Sequence, residues 1–204
     1  MGQAFRVGRY PIHFHINGNA STSYVRGIAI HWSLNRACTI HAVDNLLVEH
    51  NVAFNVKGLS FFIEDGVEEN NIVQYNLAVF TRQSNSLLNP DIQPGSFWIV
   101  KPNNIVHRNA VTGSTHFDYW FIVLQNPGGP SKTTSYCPTK APIGRFSTIV
   151  PIVVVFMEFG YSLQKKRAVL PWLIPEKEDG VMDRTILQLP LETLLLGIKR
   201  LVWK

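Results

Sequence analysis

The chain has 204 residues, of which 46% are hydrophobic, and a formal net charge of +5. That apolar share excludes a wholly disordered polypeptide, and the length suffices for one sizeable core, alone or with an appendage. No block of like charges reaches five residues, and Lys165, Lys166 and Arg167 form the one tight basic cluster. It reads as a solvated patch, so no nucleic-acid partner is expected.

In chain order, the opening Met1 to Tyr10 has no apolar stretch, so no signal peptide is expected in this chain. The run RYPIHFHING follows. As a strand it sets Ile12, Phe14 and Ile16 on one face and His13 and His15 on the other. Further strand-like runs are GIAIHW (27–32), ACTIH (37–41), LSFFIE (59–64) and SFWIV (96–100), rich in β-branched and aromatic residues and bounded by Gly, Asn or Asp. Interleaved with them is a loose repeat: NLLVEHNVA (45–53), NNIVQYNLA (70–78) and NNIVHRNAV (103–111). Its second asparagine recurs at Asn51, Asn76 and Asn109, 25 and then 33 residues apart. Helical periodicity is weak, and the one Asn-Gly hairpin signal is Asn17-Gly18. Coils of three short strands, stacking aliphatics inside and asparagines at equivalent turns, account for this pattern better than an antiparallel sandwich. The expected fold is therefore all-β, a right-handed parallel β-helix. Residues 81–95 are expected to form a loop inserted between coils, which explains the longer spacing.

Every histidine and every asparagine precedes residue 147. The expected division is a partial β-helix over 1–146 and a different, poorly ordered tail over 147–204. Thr148 to Phe156 is apolar but is about half the roughly 20 residues of a membrane span. Cys38 and Cys137 match no zinc spacing; one disulfide would suit a secreted protein, and the spacing leaves this open.

Candidate chemistry concentrates in two places. Five histidines, His13, His15, His31, His41 and His107, lie in or at the end of strand-like runs, where stacked coils would line them on one face. Two histidines at i and i+2 can chelate a transition metal with a third ligand from a neighbouring coil, but the spacing names no third partner. An outward ladder of neutral imidazoles is the reading carried forward, with no metal and no cofactor assigned. The acidic run FFIEDGVEEN (61–70) supplies Glu64 and Asp65, which on a strand would face opposite ways, with Gly66 ending the strand and Glu68 and Glu69 in the turn. Glycoside cleavage needs two carboxylates about 5 to 10 Å apart, and lyases need a base with a cation. Glu64 or Asp65 with Arg26, Arg36 or a histidine fits either scheme, against the plainer role of capping backbone N–H groups. Trp32, Trp98, Tyr119 and Trp120 are possible sugar platforms, although burial is expected for Trp32 and Trp98. Asn19-Ala20-Ser21 is the only N-glycosylation sequon.

GRYPIHFHINGN, SYVRGIAIHWSLNRACTIH, NLLVEHNVAFN, FFIEDGVEENN, PNNIVHRNAVTGSTHF and SYCPTKAPIGRF together resemble the β-helix region of the fibrocystin-L-like proteins. They resemble, more distantly, the same region of the cell-migration-inducing and hyaluronan-binding protein family. The resemblance covers Arg9 to Phe146 and implies a pectin-lyase-like solenoid in a large extracellular or cell-surface protein, membrane-anchored outside this fragment. Its implied role is recognition or structure, with a glycan or the extracellular matrix as partner. The alternative it implies is a hyaluronan or related polysaccharide depolymerase. Enzyme activity is thus open and leans to none. Site candidates are Glu64 and Asp65 for catalysis, His13, His15, His31 and His41 for binding, and Asn19 for glycosylation. The tail departs from the family pattern, and a two-base shift in back-translation restores a family-like coil, so out-of-frame translation is the expectation for 147–204.

Overall fold

The computed structural model describes residues 2–85, 91–147 and 150–153. The expectations for the tail beyond residue 153 lie outside the described residues. Fifteen strands succeed one another: β1 (Ile12–Asn19), β2 (Tyr24–Arg26), β3 (Ala29–Ser33), β4 (Cys38–Asp44), β5 (Leu47–Glu49), β6 (Val52–Lys57), β7 (Phe61–Ile63), β8 (Ile72–Gln74), β9 (Leu77–Arg82), β10 (Gly95–Ile99), β11 (Ile105–His107), β12 (Ala110–Thr112), β13 (Phe117–Phe121), β14 (Phe146–Ser147) and β15 (Val150–Val153). Every third strand joins the same sheet. The orders are β1-β4-β7-β10-β13, β2-β5-β8-β11-β14 and β3-β6-β9-β12-β15, and every pairing is parallel. This is the β-helix expected from the repeat, with each repeat copy folded as strand, corner, strand.

Registry explains the core. In the first sheet Ile12, Cys38 and Phe61 are paired in sequence across the rungs, and Phe61 continues through Phe97 to Tyr119. The rings of Phe61, Phe97 and Tyr119 stack with centroids 4.9 Å apart at each step. Val25, Val48, Val73 and Val106 form the corresponding buried column of the second sheet, and Ile30, Ala53, Ala78 and Val111 that of the third. Buried side chains on both sides of the axis therefore stack like on like, which is how a solenoid builds one continuous core.

Two buried asparagine ladders pin the corners. Asn76 Oδ1 accepts from the backbone N–H and the side-chain amide of Asn51 at 3.1 and 3.0 Å, and Asn109 Oδ1 does the same for Asn76 at 2.9 and 3.1 Å. The second ladder joins Leu46 N–H to Asn71 Oδ1 and Asn71 N–H to Asn104 Oδ1, each at 2.9 Å. The residue before each asparagine of the first ladder, His50, Tyr75 or Arg108, takes φ of 54 to 55°, a left-handed turn that the ladder holds in place.

Left-handed positions correct two side-chain assignments, and strand register corrects a third. Ile16 (φ 54°) sits in a bulge of β1, between His15 and Gly18, and is 57% exposed rather than buried with Ile12 and Phe14. Trp32 (φ 51°) heads a column of left-handed residues continuing through Asn55, Phe80 and Gly113, and it too is exposed. Trp98 lies on the outer face of β10, half-buried against Trp120 with centroids 5.0 Å apart. Asn17-Gly18 makes this bulge and not a hairpin. The inserted segment is shorter than expected, because Thr81 and Arg82 belong to β9 and Gly95 to β10.

Cys38 and Cys137 are both free; Cys38 is buried, which pushes its thiol up to about 12. Asp118 in β13 is buried as well, and its Oδ2 has no hydrogen-bond partner. Burial raises its pKa, with Ser114 opposing. A carboxyl raised on folding favours the folded state below its unfolded pKa of about 4, and that contribution is lost as pH rises through the folded value. Asp118→Asn is therefore expected to raise the melting temperature at pH 7, by about 2–4 °C for each kcal/mol recovered, and to leave it unchanged near pH 3. Thermal melts of the two chains across this range check it.

Candidate functional site

The outer face of the first sheet follows from the same registry. One outward column runs His13, Thr39, Phe62, Trp98, Trp120, and the next begins His15, His41. Glu64 continues the second, since its N–H donates to Ile40 O at 3.1 Å as the strand pairing ends. The face thus carries imidazoles at one end and aromatic rings at the other.

At the imidazole end, His15 and His41 have ring centroids 4.5 Å apart, and His13 and His15 4.9 Å. His13 is half-buried with Nδ1 3.1 Å from Gly8 O, and Tyr10 packs edge-on against its ring. Burial lowers its pKa, the Gly8 carbonyl opposes that shift, and the neighbouring His15, His41 and Arg36 add to it. His41 is buried, its Nε2 2.7 Å from Asp65 Oδ2 and its Nδ1 3.7 Å from Glu64 Oε2.

Glu64 and Asp65 do not diverge as two strand residues would. β7 ends at Ile63, Gly66 (φ 90°) turns the chain, and both carboxylates reach the two nitrogens of one imidazole. Glu64 keeps about a quarter of its side chain in solvent and lies 3.5 Å from the buried Arg36 guanidinium. Burial raises its pKa, while Arg36 and then His41 pull it back. Asp65 is buried and accepts from Ser131 N–H at 3.2 Å, which ties the segment around the 3-10 turn Gly129–Ser131 to the rung. Backbone capping falls mainly to Glu68, whose carboxylate accepts from the N–H groups of Ala42, Asp65 and Gly66 at 2.8 to 3.0 Å. Glu69 holds the buried Lys101 and Tyr136, at 2.8 and 2.6 Å.

Of the sequence-derived candidates, His13, His15, His41, Glu64 and Asp65 come together. His31 lies on β3 in the third sheet, registered with Phe54. Asn19 is exposed at the end of β1, its Oδ1 accepting from Ser21 N–H and the Asn45 amide, each at 3.1 Å. Arg36 is the cation of the site; Arg26 instead pairs with Glu49 at 2.6 Å in the second sheet. Sequence reasoning missed Asp91, which holds Arg36 Nε at 2.9 Å from 55 residues away, and Tyr10 and Gly8, which support His13 from outside the strand. The Asn-Asn pairs at 70–71 and 103–104 were the available signal for the second ladder.

Comparison with known proteins matches residues 1–150 to the model of the CEMIP beta-helix. The chain is 54% identical over 146 residues to Fibrocystin-L of Homo sapiens, covering 71% of this chain and 3% of that protein. It is 32% identical over 180 residues to the human Cell migration-inducing and hyaluronan-binding protein and to the Cell surface hyaluronidase of Danio rerio, covering 72% of this chain and 13% of each. The chain therefore spans a small fraction of the length of the relatives it matches. On the stacked rungs, the paired imidazoles of β1 and the 150 matched residues together, the chain belongs to the CEMIP beta-helix family.

Proposed function

We propose that the chain is a recognition module of an extracellular or cell-surface protein, and that the outer face of its first sheet binds a glycan of the extracellular matrix without cleaving it. The observation that carries this reading is one outer face that holds a half-buried aromatic pair, Trp98 and Trp120, at one end and the imidazoles of His13, His15 and His41 at the other. Ring faces suit the apolar face of a pyranose, and imidazoles suit its carboxylate or hydroxyls. The state of the carboxylates favours binding over chemistry. Asp65 is buried and engaged by His41 and Ser131, so no glycosidic oxygen reaches it without displacing them. The names of two relatives, a hyaluronan-binding protein and a cell surface hyaluronidase, support a glycan as ligand and the cell exterior as location. On this reading exposed Asn19 is an acceptor for N-linked glycan.

Depolymerisation is the second reading, and the raised pKa of Glu64 favours it, because a protonated carboxyl can serve as general acid. Incubation of the chain with size-defined hyaluronan separates the two. Retention of oligosaccharides without shortening, weakened about tenfold or more by Trp98→Ala, is the expected result. Shortening that Asp65→Asn abolishes would replace recognition by catalysis, and no retention of hyaluronan or any other matrix glycan would remove the ligand.

A further inference from the structure

The three histidines at the end of the first sheet have a relation that a glycan surface does not require. His13, His15 and His41 each offer a ring nitrogen, and the three atoms lie within 4.8 Å of one another. Nitrogens around a tetrahedral zinc ion sit about 3.3–3.5 Å apart, given bonds of about 2.0–2.1 Å. Small rotations about the side-chain bonds would close that gap.

The surroundings are those of a built site. Gly8 O, 3.1 Å from His13 Nδ1, favours the proton there and leaves Nε2 as the lone-pair nitrogen; Nε2 is buried and has no hydrogen-bond partner. His41 is also buried, and the Asp65 carboxylate, 2.7 Å from its Nε2, takes the proton-bearing side of that ring and leaves Nδ1 as its lone-pair nitrogen. One buried imidazole nitrogen, His13 Nε2, is thus unsatisfied in the cluster, at a cost that a bound cation would remove. A backbone carbonyl behind one imidazole and a carboxylate beside another match the outer support that ligating histidines usually have. Glu64 and Asp65 flank the cluster with two carboxylates against the one guanidinium of Arg36. His15 is exposed, so a fourth position would open to solvent.

We propose that His13, His15 and His41 bind a first-row transition-metal dication of the zinc class, with Asp65 as a supporting carboxylate. Three imidazoles select such a metal over Ca²⁺ or Mg²⁺, which prefer oxygen ligands. The site joins β1 to β4 and so cross-links two rungs.

Zinc titration of the metal-free chain, read by calorimetry and by competition with a chromophoric chelator, tests this. Cobalt(II) serves as the spectroscopic probe. One zinc per chain is expected, with an intense visible cobalt spectrum of low coordination number and no response to Ca²⁺. His15→Gln, at an exposed position, should keep the metal-free melting temperature and weaken zinc at least 10-fold. Asp65→Asn should weaken it about 10–100-fold. His31→Ala, in another sheet, should bind as the parent does. Zinc binding that survives His13→Ala combined with His15→Ala, or a parent chain that takes up none, would overturn the assignment. Neither outcome depends on whether a glycan binds.

Discussion

Asn76→Ala is expected to destabilise the chain by about 4 kcal/mol, the sum of a few buried groups each left unsatisfied at about 1–3 kcal/mol, with incomplete additivity. Asn76 is 1% exposed and serves both neighbouring rungs. Its Oδ1 accepts twice from Asn51, and its amide donates to Val48 O at 3.0 Å and Asn109 Oδ1 at 3.1 Å. Truncation strands the Asn51 N–H and amide and removes the donor from the other two. Tyr75, whose left-handed φ of 54° costs about 1 kcal/mol, loses the neighbour that holds it there. Chemical denaturation should show the loss, with a melting temperature lower by roughly 10 °C. Exposed Gln125→Ala should stay within about 0.5 kcal/mol. Equal effects of the two substitutions would show that the ladder does not hold the corners.

Arg36→Leu is expected to cost about 3–5 kcal/mol, because it strips one partner from a buried ion pair. The guanidinium is 1% exposed, 2.9 Å from the equally buried Asp91, and stacked over Phe62 at 4.3 Å. Two carboxylates feel its loss. Asp91 loses its buried guanidinium contact, and Glu64, already raised by burial, loses the largest influence that lowers it. Stability should then fall more at pH 7 than at pH 4, since Glu64, its pKa raised by burial and no longer pulled back by Arg36, takes up a proton as the pH falls. Pairing the substitution with Asp91→Leu should recover part of the loss. A double variant as unstable as the sum of the two single ones would mean that the pair is not coupled.

The parts of this molecule that were legible in the sequence are those governed by repetition. Asn51, Asn76 and Asn109 announced both the coil length and the corner, and Ile12 and Phe14 the inward face of β1. Legibility failed where one residue turns left-handed. At Ile16 and Trp32 a single positive φ breaks the two-residue alternation, so an apolar side chain that a strand would bury points into solvent. It failed again where partners are distant in sequence. The i, i+2 pair His13 and His15 was visible, but His41 could be set beside them only once β1 and β4 were in register, and no pattern links Arg36 with Asp91.

The two halves of the first asparagine ladder have contacts of 3.0–3.1 Å and 2.9–3.1 Å, although the first spans 25 residues and the second 33. Rung height is therefore independent of how much polypeptide each circuit uses, and the surplus residues fall in sequence between Arg82 and Gly95. Such a coil can lengthen there, gain a new surface and keep its stacking, so a change of ligand in this lineage needs no change of scaffold.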